Sequence, residues 1–301
     1  APTLGRGLRA APLKYPRQLV ATLALLAGRR PRVVLVQSPP SFATWVVAAY
    51  AAATGAAFVV DAHSDAFERP IWTRPRFLVR LVARRAAATI VTNAHWARLV
   101  ESWGGRALTV PSVPARFEPG PPPPLGPGFD VAVVNTWARD EPIEAVLAAA
   151  EELPEVTFHV TGRTEPVARL GRPVPPNVRF VGFLPEPTYY GLLAGARAVM
   201  CLTTRDHTMQ NGACEALALG VPIVTSDWPV LRTYFDRGTV HVDNTPAGIV
   251  AGIRRLIDRY DELRAEIVAL RDAREREWAA TRAALVDMVL ARLGGAGETR
   301  R

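Results

Sequence analysis

Cysteine and lysine are almost missing from this 301-residue chain, which holds two cysteines, Cys201 and Cys214, and a single lysine, Lys14. Two cysteines cannot build a disulfide framework and offer no zinc-holding spacing, so the small disulfide-stapled and metal-stapled classes are excluded and a reducing, cytoplasmic setting is the default. No metal site is expected. Nor does a secretory signal open the chain, because residues 1–11 lack an apolar core and carry prolines and arginines. The first residue is alanine rather than methionine, which points to a processed chain, a trimmed one or a missing leading segment. Charged residues amount to 21% against 49% hydrophobic. That is the balance of a folded globular protein, and the length suggests two domains.

What the chain has in quantity is arginine, and it is unevenly placed. Residues 1–120 hold 16 basic and 5 acidic side chains, whereas residues 121–301 hold 20 and 23. A basic first half can face an anionic membrane surface, a phosphorylated substrate or nucleic acid, and a solvated arginine-rich surface accounts for the same charge. Nucleic acid ranks lowest, since no reading motif accompanies the arginines.

Val33 to Val60 contains no charged residue and is long enough for a membrane span. Pro39, Pro40 and Gly55 break it, however, into strand Val33–Gln37, helix Ser41–Ala53 and strand Ala57–Val60, a βαβ unit. Helix Arg76–Arg85, strand Ala88–Val91, helix Ala94–Trp103 and strand Ala107–Val110 continue the alternation. The Pro/Gly-rich run from Glu118 to Gly128 reads as a stiff linker. It divides an N-terminal domain, residues 1–118, from a second, residues 129–257. There, six strands near Asp130–Val134, Thr157–Thr161, Val178–Val181, Ala198–Leu202, Pro222–Thr225 and Thr239–Val242 alternate with helices near Ile143–Leu153, Glu186–Ala194, Asn211–Leu219 and Pro246–Tyr260. Residues 258–301 read as a charged helical segment and tail. The expected fold class is α/β, with two Rossmann-like doubly wound domains.

Such domains bind ligands at the carboxyl ends of their strands. The most informative segment runs from Thr203 to Ser226, where a polar loop after a strand leads into a helix. Its first turn leaves the amides of Asn211, Gly212 and Ala213 unpaired, and Gly212 allows a close approach, which suits a phosphate. Glu215 stands in the same turn, where its carboxylate can reach a hydroxyl or merely complement the helix dipole.

This helix, with Gly220, Val221, Pro222, the following strand and Ser226, resembles the donor-binding domain of family 4 glycosyltransferases with the GT-B fold. By that resemblance Glu215 is the second of the family's two spaced glutamates and binds the ribose hydroxyls of a nucleotide sugar. His207 stands where the first would be, and a histidine there can still hydrogen-bond a sugar hydroxyl. The stretch from Asn135 to Pro142 takes the place of the family's pyrophosphate loop, with Arg139 as its cation and without the family's lysine. Thr161-Gly162-Arg163 and Gly182-Phe183-Leu184-Pro185 resemble the loops flanking the nucleobase. In the first domain, Val36 to Pro40 and Val60 to Ser64 resemble short motifs of lipid-linked chitobiose β-mannosyltransferases. His63 then matches a histidine that reaches the donor sugar, with Asp61 or Asp65 orienting its ring or acting as base; His63 as a loop cap is the alternative. His95 reads as structural.

A GT-B first domain normally begins with a strand and a glycine-rich turn, whereas here a helix-like segment, Leu13–Ala27, comes first. The leading βαβ portion is therefore missing from the given chain, supplied by a partner chain, or dispensed with. The resulting expectation is a metal-independent glycosyltransferase that uses a nucleotide-diphosphate sugar as co-substrate and needs no cofactor. Its acceptor is a sugar or a lipid-linked glycan precursor. It would be cytoplasmic, with the basic half and the helix around Trp45 in peripheral contact with the inner face of the membrane. A sugar-nucleotide epimerase and a non-catalytic, partner-dependent subunit are the rivals. UDP or GDP, the sugar, and retention or inversion stay open.

Overall fold

The computed structural model describes residues 11–126 and 128–298. Residues 1–10, on which the reading of the chain's start rests, lie outside them. The chain divides into two compact units, one of residues 1–111 with 279–301 and the other of residues 112–278.

Unit 1 is built on a four-stranded parallel sheet in the order β1-β2-β3-β4, from β1 (Val33–Ser38), β2 (Ala57–Ala62), β3 (Ala88–Val91) and β4 (Ala107–Thr109). Helix α1 (Ala11–Arg29) precedes it, and α2 (Ser41–Thr54) makes the first crossover. The apolar run without charge is thus a buried βαβ unit. Its helix stops at Gly55, which takes the left-handed conformation (φ 80°) and returns its N–H to the Ala51 carbonyl, as a glycine cap does. Two short helices that the sequence reading missed, α3 (Asp65–Glu68) and α4 (Pro70–Thr73), lead into α5 (Arg76–Arg85), and α6 (Ala94–Ser102) closes the unit's crossovers. The side chain of Asn93 caps α6 by accepting from the amides of His95 and Trp96. No helix among the described residues is long and apolar enough to cross a membrane.

Unit 2 carries β5 (Phe129–Val133), β6 (Val156–Thr161), β7 (Val178–Gly182), β8 (Ala198–Cys201), β9 (Ile223–Ser226) and β10 (Thr239–Val242). All pairings are parallel, in the order β10-β9-β8-β5-β6-β7. The chain winds outward from β5 to β7, then restarts at β8 and winds the other way. The direction of winding therefore reverses between β5 and β8, and the loops after these two strands diverge to leave a crevice. Successive β5 residues serve opposite cores. Val131 and Val133 join α7 (Ile143–Glu151) and α11 (Pro246–Asp258), while Ala132 joins α8 (Glu186–Gly195), α9 (Asn211–Leu219) and the short α10 (Pro229–Tyr234). Coverage of both faces is why apolar residues dominate the central strands, as in β8 (AVMC) and most of β5 (FDVAV). Full burial of side chains such as Phe158 and Leu147 contributes about 2 kcal/mol each.

The Pro/Gly-rich run packs as a strap on unit 2. Gly120 donates its N–H to the Pro187 carbonyl at 2.8 Å, and Gly126 donates to the Asp130 carboxylate at 3.0 Å. That carboxylate also meets His159 at 2.6 Å, both being buried. The first division between units falls after Pro111. The C-terminal helical segment is a single helix, α12 (Tyr260–Glu298), which begins in unit 2 and ends in unit 1. There Leu285, Met288 and Val289, spaced to share one helix face, cover Val59, Ala87 and Ala88.

Candidate functional site

In unit 2 the polar residues at the strand ends form one connected ring. Buried Thr203, just past β8, donates its N–H to Ser226 Oγ (2.8 Å), and Ser226 donates in turn to Asn244 Oδ1 (2.6 Å). Asn244 Nδ2 and Trp228 Nε1 both donate back to the Thr203 carbonyl, at 3.0 and 2.9 Å. Thr203 Oγ1 donates to Asp140 at 2.7 Å, which ties the loop after β8 to the loop after β5 across the crevice. Three residues around this ring, Trp137, His207 and Asn244, hold positive φ angles of 62°, 57° and 67°. Such backbone persists only where its surroundings impose it, and it clusters at binding sites.

Helix α9 starts at this crevice. Its N-cap residue, Gln210, makes no side-chain cap, and its buried Oε1 has no partner. The first-turn amides of Asn211 and Gly212 thus lack a capping side chain, as a helix end that receives an anion requires. Burial raises the Cys201 thiol, and the neighbouring Ala213 amide opposes part of that rise. One detail of the sequence reading changes. Gly212 is a packing glycine, since a Cβ there would lie 2.8 Å from the Val134 side chain. Glu215 accepts a 2.6 Å hydrogen bond from the Tyr189 hydroxyl, a partner on α8 that nothing in the sequence signals. Burial raises the Glu215 carboxyl above its ordinary range, and the Tyr189 bond offsets part of that rise. A cavity of about 170 Å³ lies beside it, lined by Asn211, Cys214 and Glu215 of α9 and by Phe117, Tyr234 and Arg271. Burial pushes the Cys214 thiol up to about 12, so it is not a nucleophile at neutral pH. His207 is partly exposed, and its amide donates to the Asp206 carboxylate at 2.6 Å.

The loop after β5 differs from the α9 end. Glu141 Oε2 accepts from the amides of Thr136 (2.8 Å) and Ala138 (2.9 Å), while Oε1 accepts from the Thr136 hydroxyl (2.9 Å). Arg139 is exposed beside this loop and makes no ion pair among the described residues. Gly162 (φ 97°) brings the loop after β6 against that after β5, because a Cβ there would lie 2.1 Å from the Asn135 carbonyl oxygen. Trp137 Nε1 donates to the Arg163 carbonyl at 2.6 Å, and its ring stacks on Phe180. Gly182 (φ 74°) turns the chain out of β7 and leaves the Phe183 ring 73% exposed. An aromatic face in the open beside two loop backbones is what a nucleobase can stack on.

In unit 1, Asp61 and His63 come together at the end of β2, with His63 Nε2 3.6 Å from the carboxylate. The Asp61 carboxylate raises the His63 pKa, partial burial opposing it. Asp65 stands apart at the start of α3, where its carboxylate pairs with Arg69 at 2.9 Å. His95 lies edge-on against Trp96. Among the described residues no group of three or more His, Cys, Asp or Glu is placed to hold a metal ion.

Residues 1–116 match the family model of a glycosyl transferase 4-like domain, and residues 139–284 match that of a glycosyl transferase-like domain. Sucrose-phosphate synthase from Thermosynechococcus elongatus is similar in fold, at a TM-score of 0.70 and 17% identity over 98% of this chain and 82% of that one. The Anabaena protein HepE, solved with UDP-glucose, superimposes at 0.58 with 16% identity, over 83% of this chain and 78% of the other. A Listeria monocytogenes protein assigned as a UDP-N-acetylglucosamine 2-epimerase does so at 0.59 with 13% identity, over 87% and 75%. No curated protein sequence matches significantly.

Proposed function

We propose that this chain, a GT-B glycosyltransferase of the family 4-like kind by the match of both its segments, moves a sugar from a nucleoside-diphosphate donor to an acceptor. The observation that carries the reading is the uncapped start of α9 at the point where the winding of the unit 2 sheet reverses, with Glu215 one turn further along. The diphosphate is received by the Asn211 and Gly212 amides. The ribose hydroxyls hydrogen-bond Glu215, held in place by Tyr189, and the base lies by Gly162, Arg163, Gly182 and Phe183. Electrostatic stabilisation of the departing diphosphate is the main catalytic contribution, since charge develops there in an oxocarbenium-like transition state. These groups stabilise it without a divalent metal. In unit 1, His63 with Asp61 is assigned to a sugar hydroxyl or the leaving oxygen, and its raised pKa keeps it a donor further up the pH scale.

The acceptor we propose is lipid-linked and presented at an anionic membrane surface. Support comes from α4 and α5, where Ile71, Phe77 and Leu81 are exposed among Arg69, Arg74, Arg76, Arg80 and Arg84, a pairing of apolar and basic side chains suited to a lipid interface. Failure to bind anionic vesicles at physiological salt contradicts it.

A partner-dependent subunit is the second reading. β1 is a sheet edge with Leu35 66% exposed, next to an α1 whose Val20, Leu23 and Leu25 are also exposed, and a long apolar edge is usually covered. An epimerase is the third, since the Listeria protein shares the fold. Proton NMR of UDP- and GDP-sugars incubated with the protein separates them. Transfer requires acceptor and releases nucleoside diphosphate; epimerisation changes the donor alone; an inert donor with and without acceptor supports the subunit.

A further inference from the structure

The two loops that flank the crevice of unit 2 treat anions in opposite ways. At α9 the first amides carry no capping side chain. After β5, by contrast, two amides and a hydroxyl converge on the Glu141 carboxylate at 2.8–2.9 Å. The intervening Trp137 turns back with a positive φ, and its own N–H is held by Asn135 Oδ1 at 2.8 Å. Amides converging through a left-handed residue form a nest, which is an anion-binding concavity. A carboxylate oxygen there makes charge-assisted bonds like those of a phosphate oxygen.

We propose that Glu141 is the resident anion of this nest. It keeps phosphate out of the loop after β5, so the donor's diphosphate is received on the α9 side alone. This departs from the expectation that the Asn135–Pro142 loop binds pyrophosphate, and it rests on the donor reading above. The physical argument is exclusion. A phosphoryl oxygen entering the nest would need the same N–H groups that Glu141 already uses and would come close to its negative charge, so the two anions repel. Glu141 is therefore a positioning residue. It fixes the backbone from which exposed Arg139 projects, and Arg139 can then approach the diphosphate from solvent without sharing it with the nest.

The test is an amide-resolved NMR titration with inorganic pyrophosphate. In the wild-type protein the Thr136 and Ala138 amides should stay unmoved. In Glu141→Ala they should shift, with pyrophosphate affinity at that loop rising by about tenfold or more, since a charge-assisted anion site has been vacated. Glu141→Asp retains the charge and should behave as wild type. Movement of the Thr136 and Ala138 amides in the wild-type protein overturns the proposal. So does a folded Glu141→Ala variant that gains no response there. The wild-type arm needs no variant to fold, and the nest amides report on Glu141 whether or not nucleotides bind at Glu215. Failure of the donor reading would show separately, as unresponsive Asn211 and Gly212 amides on adding UDP or GDP.

Discussion

At the residue scale, two side-chain pairs, Glu215 with Tyr189 in unit 2 and His63 with Asp61 in unit 1, carry titrations that are shifted upward for different reasons. Burial raises the Glu215 carboxyl, and Tyr189 restrains that rise by donating to the ionised form. Tyr189→Phe should raise it further, moving upward the pH at which nucleotide affinity is half developed; an unchanged binding profile would show that the pair is not part of the site. The same shift has a stability consequence. A carboxyl whose folded pKa exceeds its unfolded value of about 4.3 binds more protons in the folded state, so stability falls as pH rises from there through the folded pKa. Glu215→Gln should remove that fall, which melting curves across the window will report. His63 shifts in the same direction for a different cause, because Asp61 raises its pKa by stabilising the imidazolium. Its contribution to stability is complete below the unfolded value of about 6.5 and is lost as pH rises through the folded one. Asp61→Asn should lower the His63 midpoint in a proton NMR titration; a midpoint that stays or rises contradicts the pairing.

At the scale of elements, small residues decide how closely the loops meet. Gly212 sits against Val134 with no room for a methyl group. Gly212→Ala should cost about 1–3 kcal/mol by overpacking, and Val134→Ala in the same chain should recover much of that, a coupling measurable by denaturant unfolding of the double-mutant cycle. Equal costs with and without Val134 would place the strain elsewhere. The sequence exposed these elements to differing degrees. Short stretches rich in β-branched and apolar residues between turn signals made β3 and β10 legible to the residue, and a polar loop before an alanine-rich helix closed by Gly220 did the same for α9. Four-residue helices such as α3 and α4 leave no periodic signal and passed unseen. Glu215 was legible because it stands one turn into a helix that follows a polar loop. Tyr189 was not, because its pairing depends on the packing of α8 against α9 across a separation of 26 residues. Glu141 left no signal for a related reason: nothing in the one-dimensional pattern says that a nearby carboxylate already holds the loop's amides.

At the scale of the whole molecule, α12 is the element that the sequence presented as an appendage and the fold uses as a structural part. Its Leu270 and Ile267 are buried in unit 2, whereas Leu285, Met288 and Val289 cover the sheet of unit 1. Met288→Asp should therefore destabilise unit 1 by about 1–3 kcal/mol, through a buried charge and lost apolar contact. Hydrogen exchange should quicken in β2 and β3 while β5 and β8 are unaffected; uniform quickening in both units would contradict this division.

Calorimetric titration of the full chain with UDP and with GDP, repeated on Glu215→Ala, asks whether the start of α9 and Glu215 hold a nucleotide. Saturable binding of one nucleotide is expected, weakened by about tenfold or more in the variant as charge-assisted hydrogen bonds to the ribose are lost. Folded protein that binds neither nucleotide, or binds one equally well without Glu215, would contradict it.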